Sequence, residues 1–351
     1  MSIRVLIVDD SKFICNRIQE ILQQEADFLV VGIALNGQQA VQMAKELMPD
    51  VITMDVEMPV MNGILAVKKI MAESPTSILM FSAATHSGAQ ATLDALNAGA
   101  IDFLPKNLDE IDGNKEMAKR LLRRRVRIVA QHTKAVRSKS SIGLRSPKQL
   151  DHYPKKLVGS LIARKKIELL VIVASTGGPV AIQKILPKLS SSCSFPVLII
   201  QHMPHNFTES FAQRLNMLCN IAVKEASDGD ALNSGEVLLA PGGMQMEINA
   251  RKKTVSIREK QKSEIYSPSA DITLSSISNL NANNVLTVVL TGMGADGKEG
   301  AKKLKQKGFS IWAQDKESST IYGMPKAIVD AKLADCSLSL DEIATQFGRL
   351  S

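Results

Sequence analysis

Residues 171–179 read VIVASTGGP, from Val171 to Pro179. An apolar run breaks into Ser-Thr-Gly-Gly-Pro, which reads as a buried strand ending in a tight, glycine-rich turn with two hydroxyls at its mouth. Such a turn either holds a phosphate with its backbone or presents Ser175 for chemistry. A phosphate cradle of the G-x-x-x-x-G-K-[ST] kind wants a lysine, and none follows Gly177–Gly178. The dinucleotide pattern G-x-G-x-x-G is absent from this turn. It is matched by letters at Gly292–Gly297, GMGADG, directly after a strand. That site would make the protein a nicotinamide-binding enzyme. Against it, the first strand-to-helix turn of this half is the Ser175 loop, and only Asp315 in GFSIWAQD stands roughly where a ribose-binding acid is wanted.

Outward from the turn, IELLVIVAS, FPVLIIQH, EVLLAPGG, NNVLTVVLTGMG and FSIWAQD read as strands. PVAIQKILPKL, NFTESFAQRLNML and ADGKEGAKKLKQKG read as helices between them, and MQMEINARKKTVSIREK as a two-stranded antiparallel excursion. The pattern is α/β, mostly parallel, with helices on both faces. In such sheets, sites form beyond the carboxyl ends of the strands. His202 directly ends FPVLIIQ, Asp296 lies just past VLTVVL, and Ser175 ends the first strand. A serine there can lose its proton to His202 while Asp296 orients the imidazole. Backbone N–H groups near Thr176 or Met293 suit an oxyanion. The competing readings are plain. Ser175 or Thr176 caps the helix that Pro179 opens, Asp296 caps its own helix, and His205, three residues on in a Pro-broken loop, is the base instead.

The N-terminal part has the same style. Ile3–Val8, Phe28–Leu35, Val51–Met54, Ser77–Phe81 and Ala100–Leu104 read as five buried strands separated by amphipathic helices. Asp9 and Asp10 end the first strand, Asp55 the third and Ser82 the fourth, and Lys106 follows the fifth. Three carboxylates at one sheet edge repel unless Mg²⁺ and a lysine offset them, and the set is poised for a carboxylate to attack a phosphoryl group. The plainer reading makes Asp10 and Ser11 a helix cap and Asp55 the start of a loop.

The net charge of +8 has an address. Residues 1–114 hold 7 basic and 15 acidic residues, and 115–166 hold 17 basic and 2 acidic. That block reads as a linker whose first half extends the last helix before it, with 137 to about 156 poorly ordered. Cys15, Cys193, Cys219 and Cys336 are scattered without metal-ligand spacing, as in a reduced, cytoplasmic protein. The start, MSIRVLIVDD, is too short in apolar residues for a signal peptide, and no run is long enough to insert in a membrane.

VLIVDDS, MDVEMPVMNG, MFSAAT and GAIDFLPK resemble the receiver domain of two-component response regulators. VASTGGP, QHMPHNFTESFAQRL, LLAPGG, LTGMGADG and AQDKESSTIYGMP resemble the catalytic domain of the chemotaxis protein-glutamate methylesterase (CheB) family. The resemblance implies two doubly wound parallel-sheet domains. A flavodoxin-like receiver spans 1–122 and a Rossmann-like three-layer esterase domain spans 161–351, joined by a basic linker over 123–160. It implies Asp55 as phosphoacceptor, Mg²⁺ held by Asp9, Asp10, Asp55 and the Glu57 carbonyl, and Ser82, Phe103 and Lys106 as the receiver switch. It implies Ser175 as nucleophile, His202 as base and Asp296 as orienting acid, with Thr176 and Met293 supporting the oxyanion and no cofactor for the esterase. Methyl-accepting chemotaxis receptors would be the substrate and a chemotaxis histidine kinase the phosphodonor, with no nucleic-acid partner. Three positions depart from the family pattern. Asn107 stands where proline usually follows the lysine, Gln245 where histidine is frequent, and Ser267 where arginine is frequent. The last two are expected to line the substrate approach. The rival classes are a DNA-binding response regulator that uses the basic block and a receptor-docking adaptor with an inactive hydrolase fold.

Overall fold

Continuous apolar strands need cover on both faces, and each half of the chain provides it by alternating strands with amphipathic helices. The computed structural model describes residues 2–83, 85–106, 115–141 and 166–350. Asn107 and residues 142–165 of the basic block lie outside them. The chain divides into two compact units, Met1–Ser146 and Pro147–Ser351.

In the first unit, β1 (Ile3–Val8), β2 (Phe28–Ala34), β3 (Val51–Asp55), β4 (Ser77–Ser82) and β5 (Asp102–Pro105) form one parallel sheet in the order β2-β1-β3-β4-β5. Helices α1 (Lys12–Gln23), α2 (Gly37–Leu47), α3 (Gly63–Glu73), α4 (His86–Asn97) and α5 (Lys115–Ser141) alternate with the strands. The strand order reverses at β1 and β3, so Asp9 and Asp55 emerge side by side at the switch point. Helix α5 runs past residue 122, where the sequence reading ended the domain. Leu122, Val126, Val129 and Ala130 are buried in this unit's core. Three of its arginines are spent locally: Arg123 pairs with Glu25 and Glu116, Arg125 with Asp102, and Arg127 with Glu25 and Asp27. Those three side chains therefore give the DNA-binding reading no support.

The second unit carries a seven-stranded parallel sheet. Its strands are β6 (Leu169–Ala174), β7 (Val197–Gln201), β8 (Ala222–Glu225), β9 (Glu236–Leu239), β12 (Val285–Val289), β13 (Ser310–Gln314) and β14 (Cys336–Leu338), in the order β14-β13-β12-β6-β7-β9-β8. The expected antiparallel excursion is the separate hairpin β10 (Met244–Asn249) and β11 (Thr254–Glu259). Helices α6 (Gly178–Ile185), α7 (His205–Leu218), α8 (Ala270–Ile277), α9 (Lys298–Gln306), α10 (Met324–Asp330) and α11 (Leu340–Phe347) complete the layers. Every residue of β6, β7 and β12 is buried, which is why these strands read as unbroken apolar runs. Among the described residues, no helix is long and apolar enough to cross a membrane. All four cysteines are free, three of them buried.

Candidate functional site

Strands β12, β6 and β7 are neighbours, and the chain reverses direction across the sheet between β6 and β12. Ser175, His202 and Asp296 leave the carboxyl ends of these three strands. The Ser175 N–H donates to the Thr291 carbonyl (3.1 Å) and the His202 N–H to the Ala174 carbonyl (3.1 Å), so both loops are tied to the adjoining strand end. Between them lies Gln201, 1% exposed, whose Nε2 donates to the carbonyls of Ser175 (3.0 Å) and His202 (3.1 Å). Ser175 itself is 2% exposed.

Helix capping does not account for these residues. The N-cap of α6 is Gly177, at φ +77°, with no side-chain cap from Ser175 or Thr176. The N-cap of α9 is Gly297, not Asp296. The Asp296 carboxylate turns instead to the start of α8, where Ser269 is the N-cap. Its Oδ1 accepts from Ser269 Oγ (2.9 Å) and the Asp271 N–H (3.0 Å); its Oδ2 accepts from the Ala270 N–H (2.7 Å) and bonds His202 Nε2 (2.7 Å). Burial works against the charge of Asp296, but His202 and the backbone donors of Asp271 and Ala270 outweigh it and hold the carboxyl below its ordinary range. The imidazole, with its side chain 7% exposed, is thus fixed at Nε2, which leaves Nδ1 for a hydroxyl. Burial, followed by the facing Asp296 charge, pushes the Asp271 carboxyl up.

His205, the rival base, is exposed at the first position of α7. The GMGADG turn is occupied by the chain itself. The Gly292 carbonyl accepts from the Gly323 and Met324 N–H groups, and a Cβ on Gly292 would sit 2.9 Å from Ser175 Cβ and 2.4 Å from Met324 Sδ. That crowding leaves no room for a pyrophosphate against the backbone. It brings the loop of Met293, itself 5% exposed, against the serine. Thr176 is buried, with its carbonyl accepting from Thr291 Oγ1 (2.9 Å). Gln245 departs from expectation. It does not line an approach but is fully buried, its amide spent on the backbone of Tyr266 and Ser269. Ser269 and Gln201 escaped the sequence reading. Ser269 had a local signal, a serine opening the helix of SPSAD, but its bond to Asp296 spans 27 residues.

In the first unit, Asp9, Asp10 and Asp55 offer carboxylate oxygens all within 4.8 Å of one another. Lys106 Nζ lies 3.0 Å from Asp9 Oδ2 and 2.7 Å from Asp55 Oδ2. Ser11 does cap α1, as the plainer reading held, but its own N–H donates to Asp9 Oδ1. Burial, only partly offset by Lys106, pushes the Asp55 carboxyl up to about 6. The same two acids outweigh burial at Lys106 and hold its ammonium above the usual range. The cleft around them, about 610 Å³, is lined by Asp10, Asp55, Glu57, Ser82 and Lys106, among others. Ser82 is fully buried and its hydroxyl donates to the Gly88 carbonyl (3.0 Å), not to the carboxylates. Phe103 is buried in β5. One lysine against three carboxylates leaves excess negative charge among oxygen donors, which fits a hard divalent cation such as Mg²⁺.

Comparison with known proteins shows the families to which the two halves of the chain are similar. Residues 170–347 match the family model of CheB methylesterase, and residues 5–118 that of the response regulator receiver domain. The chain is 47% identical to a protein-glutamate methylesterase/protein-glutamine glutaminase of Colwellia psychrerythraea and 48% identical to one of Vibrio parahaemolyticus. Each match covers 98% of this chain and 97% of the relative. The crystal structure of the Thermotoga maritima CheB methylesterase catalytic domain is similar at a TM-score of 0.50 and 34% identity, covering 53% of this chain and all of that one.

Proposed function

The chain belongs to the CheB methylesterase family, with a receiver domain ahead of the esterase domain, and from that premise we propose that Ser175, His202 and Asp296 carry the hydrolysis. The observation that carries the reading is the Asp296 carboxylate, buried, kept ionised and bonded to His202 beside the serine turn. The enzyme is a protein-glutamate methylesterase and protein-glutamine glutaminase. Its Ser175 hydroxyl attacks the side-chain carbonyl of a methylated glutamate, and the hydroxyl proton passes to His202. Asp296 stabilises the imidazolium that forms. The developing oxyanion is met by the backbone N–H of Met293, with Thr176 beside it. His202 returns its proton to the departing methanol, and water then attacks the acyl-serine, restoring serine and a glutamate carboxylate. With a glutamine side chain, the same steps release ammonia.

The receiver is the regulatory half. Asp55 is the phosphoacceptor, and Asp9, Asp10, Asp55 and the Glu57 carbonyl would hold Mg²⁺, which offsets charge on the transferring phosphoryl group. Lys106 pairs with Asp9 and Asp55 at rest and meets the phosphoryl oxygens afterwards. Ser82 gives up the Gly88 carbonyl to follow them, with Phe103 moving in concert. Phosphorylation by a chemotaxis histidine kinase relieves restraint of the esterase by the receiver. The substrates are chemoreceptors, met in the cytoplasm, and the domain limits are those read from sequence with α5 assigned to the receiver. The test is methanol release from methylated receptor membranes, with and without a small-molecule phosphodonor. Ser175→Ala is expected to abolish release, and Asp55→Ala to retain basal release without stimulation. Full phosphodonor stimulation of Asp55→Ala would remove the phosphoacceptor assignment.

A further inference from the structure

The carboxylate of Asp296 fixes one atom of the His202 ring, and a single hydrogen bond leaves the ring free to tilt about it. A second contact removes that freedom. The Tyr266 ring lies flat against the imidazole, with centroids 4.5 Å apart and planes 7° from parallel. Tyr266 belongs to the turn that enters α8, the same turn that presents Ser269 to Asp296. One buried side chain ties this turn to β10. Gln245, 0% exposed, donates from Nε2 to the Tyr266 carbonyl (2.7 Å) and to Glu264 Oε2 (3.2 Å), while its Oε1 accepts from the Ser269 N–H (2.9 Å). Behind it, Arg258 holds Glu264 Oε1 at 2.6 Å and Glu247 Oε1 at 2.7 Å. A single amide therefore sets the place of both groups that orient the base: the aromatic face against the imidazole and the hydroxyl on its carboxylate.

We propose that Tyr266 and Gln245 are positioning residues of the hydrolysis. Tyr266 stacks on His202 to hold the plane of the imidazole, and Gln245 fixes the backbone from which Tyr266 acts. The inference rests on His202 being the base. Stacking needs the ring and not the phenol, so the chemistry of the contact is separable from its shape. Tilting a base away from its nucleophile costs rate without costing substrate affinity.

The test compares Tyr266→Phe, Tyr266→Leu and Gln245→Leu in the full chain, with His202→Gln beside them. The readouts are methanol release from methylated receptor membranes and the proton resonances of the His202 ring, assigned as those lost in His202→Gln. In the wild type, the His202 ring protons are expected upfield of those of an exposed histidine, through the ring current of the stacked tyrosine. Tyr266→Phe is expected to keep both that shift and the rate. Tyr266→Leu is expected to lose the shift and to lower kcat about tenfold or more, with KM unchanged. Gln245→Leu is expected to weaken the shift and lower kcat in the same sense. An unshifted His202 resonance in the wild type, or Tyr266→Leu with wild-type kcat, overturns the proposal. If His202→Gln itself retains activity, it is the triad reading that fails. If His202→Gln is inactive while Tyr266→Leu is fully active, only the positioning role falls.

Discussion

Asp296→Asn is the sharpest probe of the site, because the carboxylate it alters is saturated with donors. Four groups point at its two oxygens: Ser269 Oγ and the Asp271 N–H at Oδ1, His202 Nε2 and the Ala270 N–H at Oδ2. An amide must place its NH₂ on one side or the other, and each side carries a backbone N–H that cannot reverse. With the amide oxygen toward His202, the Ser269 hydroxyl can turn to accept, but the Asp271 N–H is stranded. With the amide reversed, the Ala270 N–H is stranded and His202 is forced into the other tautomer. A stranded buried N–H costs about 1–3 kcal/mol, and each remaining bond drops from a charged to a neutral acceptor, roughly 1 kcal/mol apiece. The expected loss is about 3–5 kcal/mol in the esterase domain. The only tryptophan, Trp312, is buried in β13, so its fluorescence during denaturant unfolding reports on that domain alone. The rate should fall with it, on the order of 10³-fold or more in kcat, since the imidazolium loses its counter-charge. A stability loss below about 1 kcal/mol, which is less than one stranded buried N–H, would refute the donor-saturation reasoning. An unchanged kcat would refute the role of Asp296 itself.

Three further outcomes follow from the same geometry. The Asp296 carboxyl is held below its ordinary range, so the stability it supplies is present above about pH 4 and is lost as pH falls through its folded-state value. Glu264, bonded first of all to Arg258, is pushed down to about 2 and adds to the loss between its unfolded value and that point. Trp312-monitored unfolding should show stability declining in this acid window, with a shallower decline in Glu264→Gln. Gly178→Ala places a methyl 2.1 Å from Gln201 Oε1 and 2.7 Å from Ala174 Cβ. It should cost about 1–3 kcal/mol by overpacking, and lower kcat as Gln201 loosens its hold on the Ser175 and His202 carbonyls; equal kcat by methanol release would contradict that linkage. In the receiver, Mg²⁺ should raise the calorimetric midpoint of the wild type, and Asp55→Asn should diminish the rise by removing one of three carboxylates.

The amino-acid sequence determined the architecture. The strands beneath Ser175, His202 and Asp296 are buried on both faces, so they had to be written as unbroken apolar runs. The turn residues that follow them could be read from the ends of those runs. The same holds for Asp9, Asp55 and Lys106, each placed by the strand before it. Tertiary structure decided what those residues touch. The position of Asp296 before Lys298 suited a cap for its own helix; instead its carboxylate accepts the first N–H groups of α8, 26 residues earlier in the chain. Gln245, expected to line the substrate approach, is a buried tie for the Tyr266–Ser269 turn. The physical reason is one of range. Hydrophobic periodicity is a property of neighbours along the chain and survives in one dimension, whereas the hydrogen bonds of a buried carboxylate or amide are satisfied by whichever segments folding brings within 3 Å.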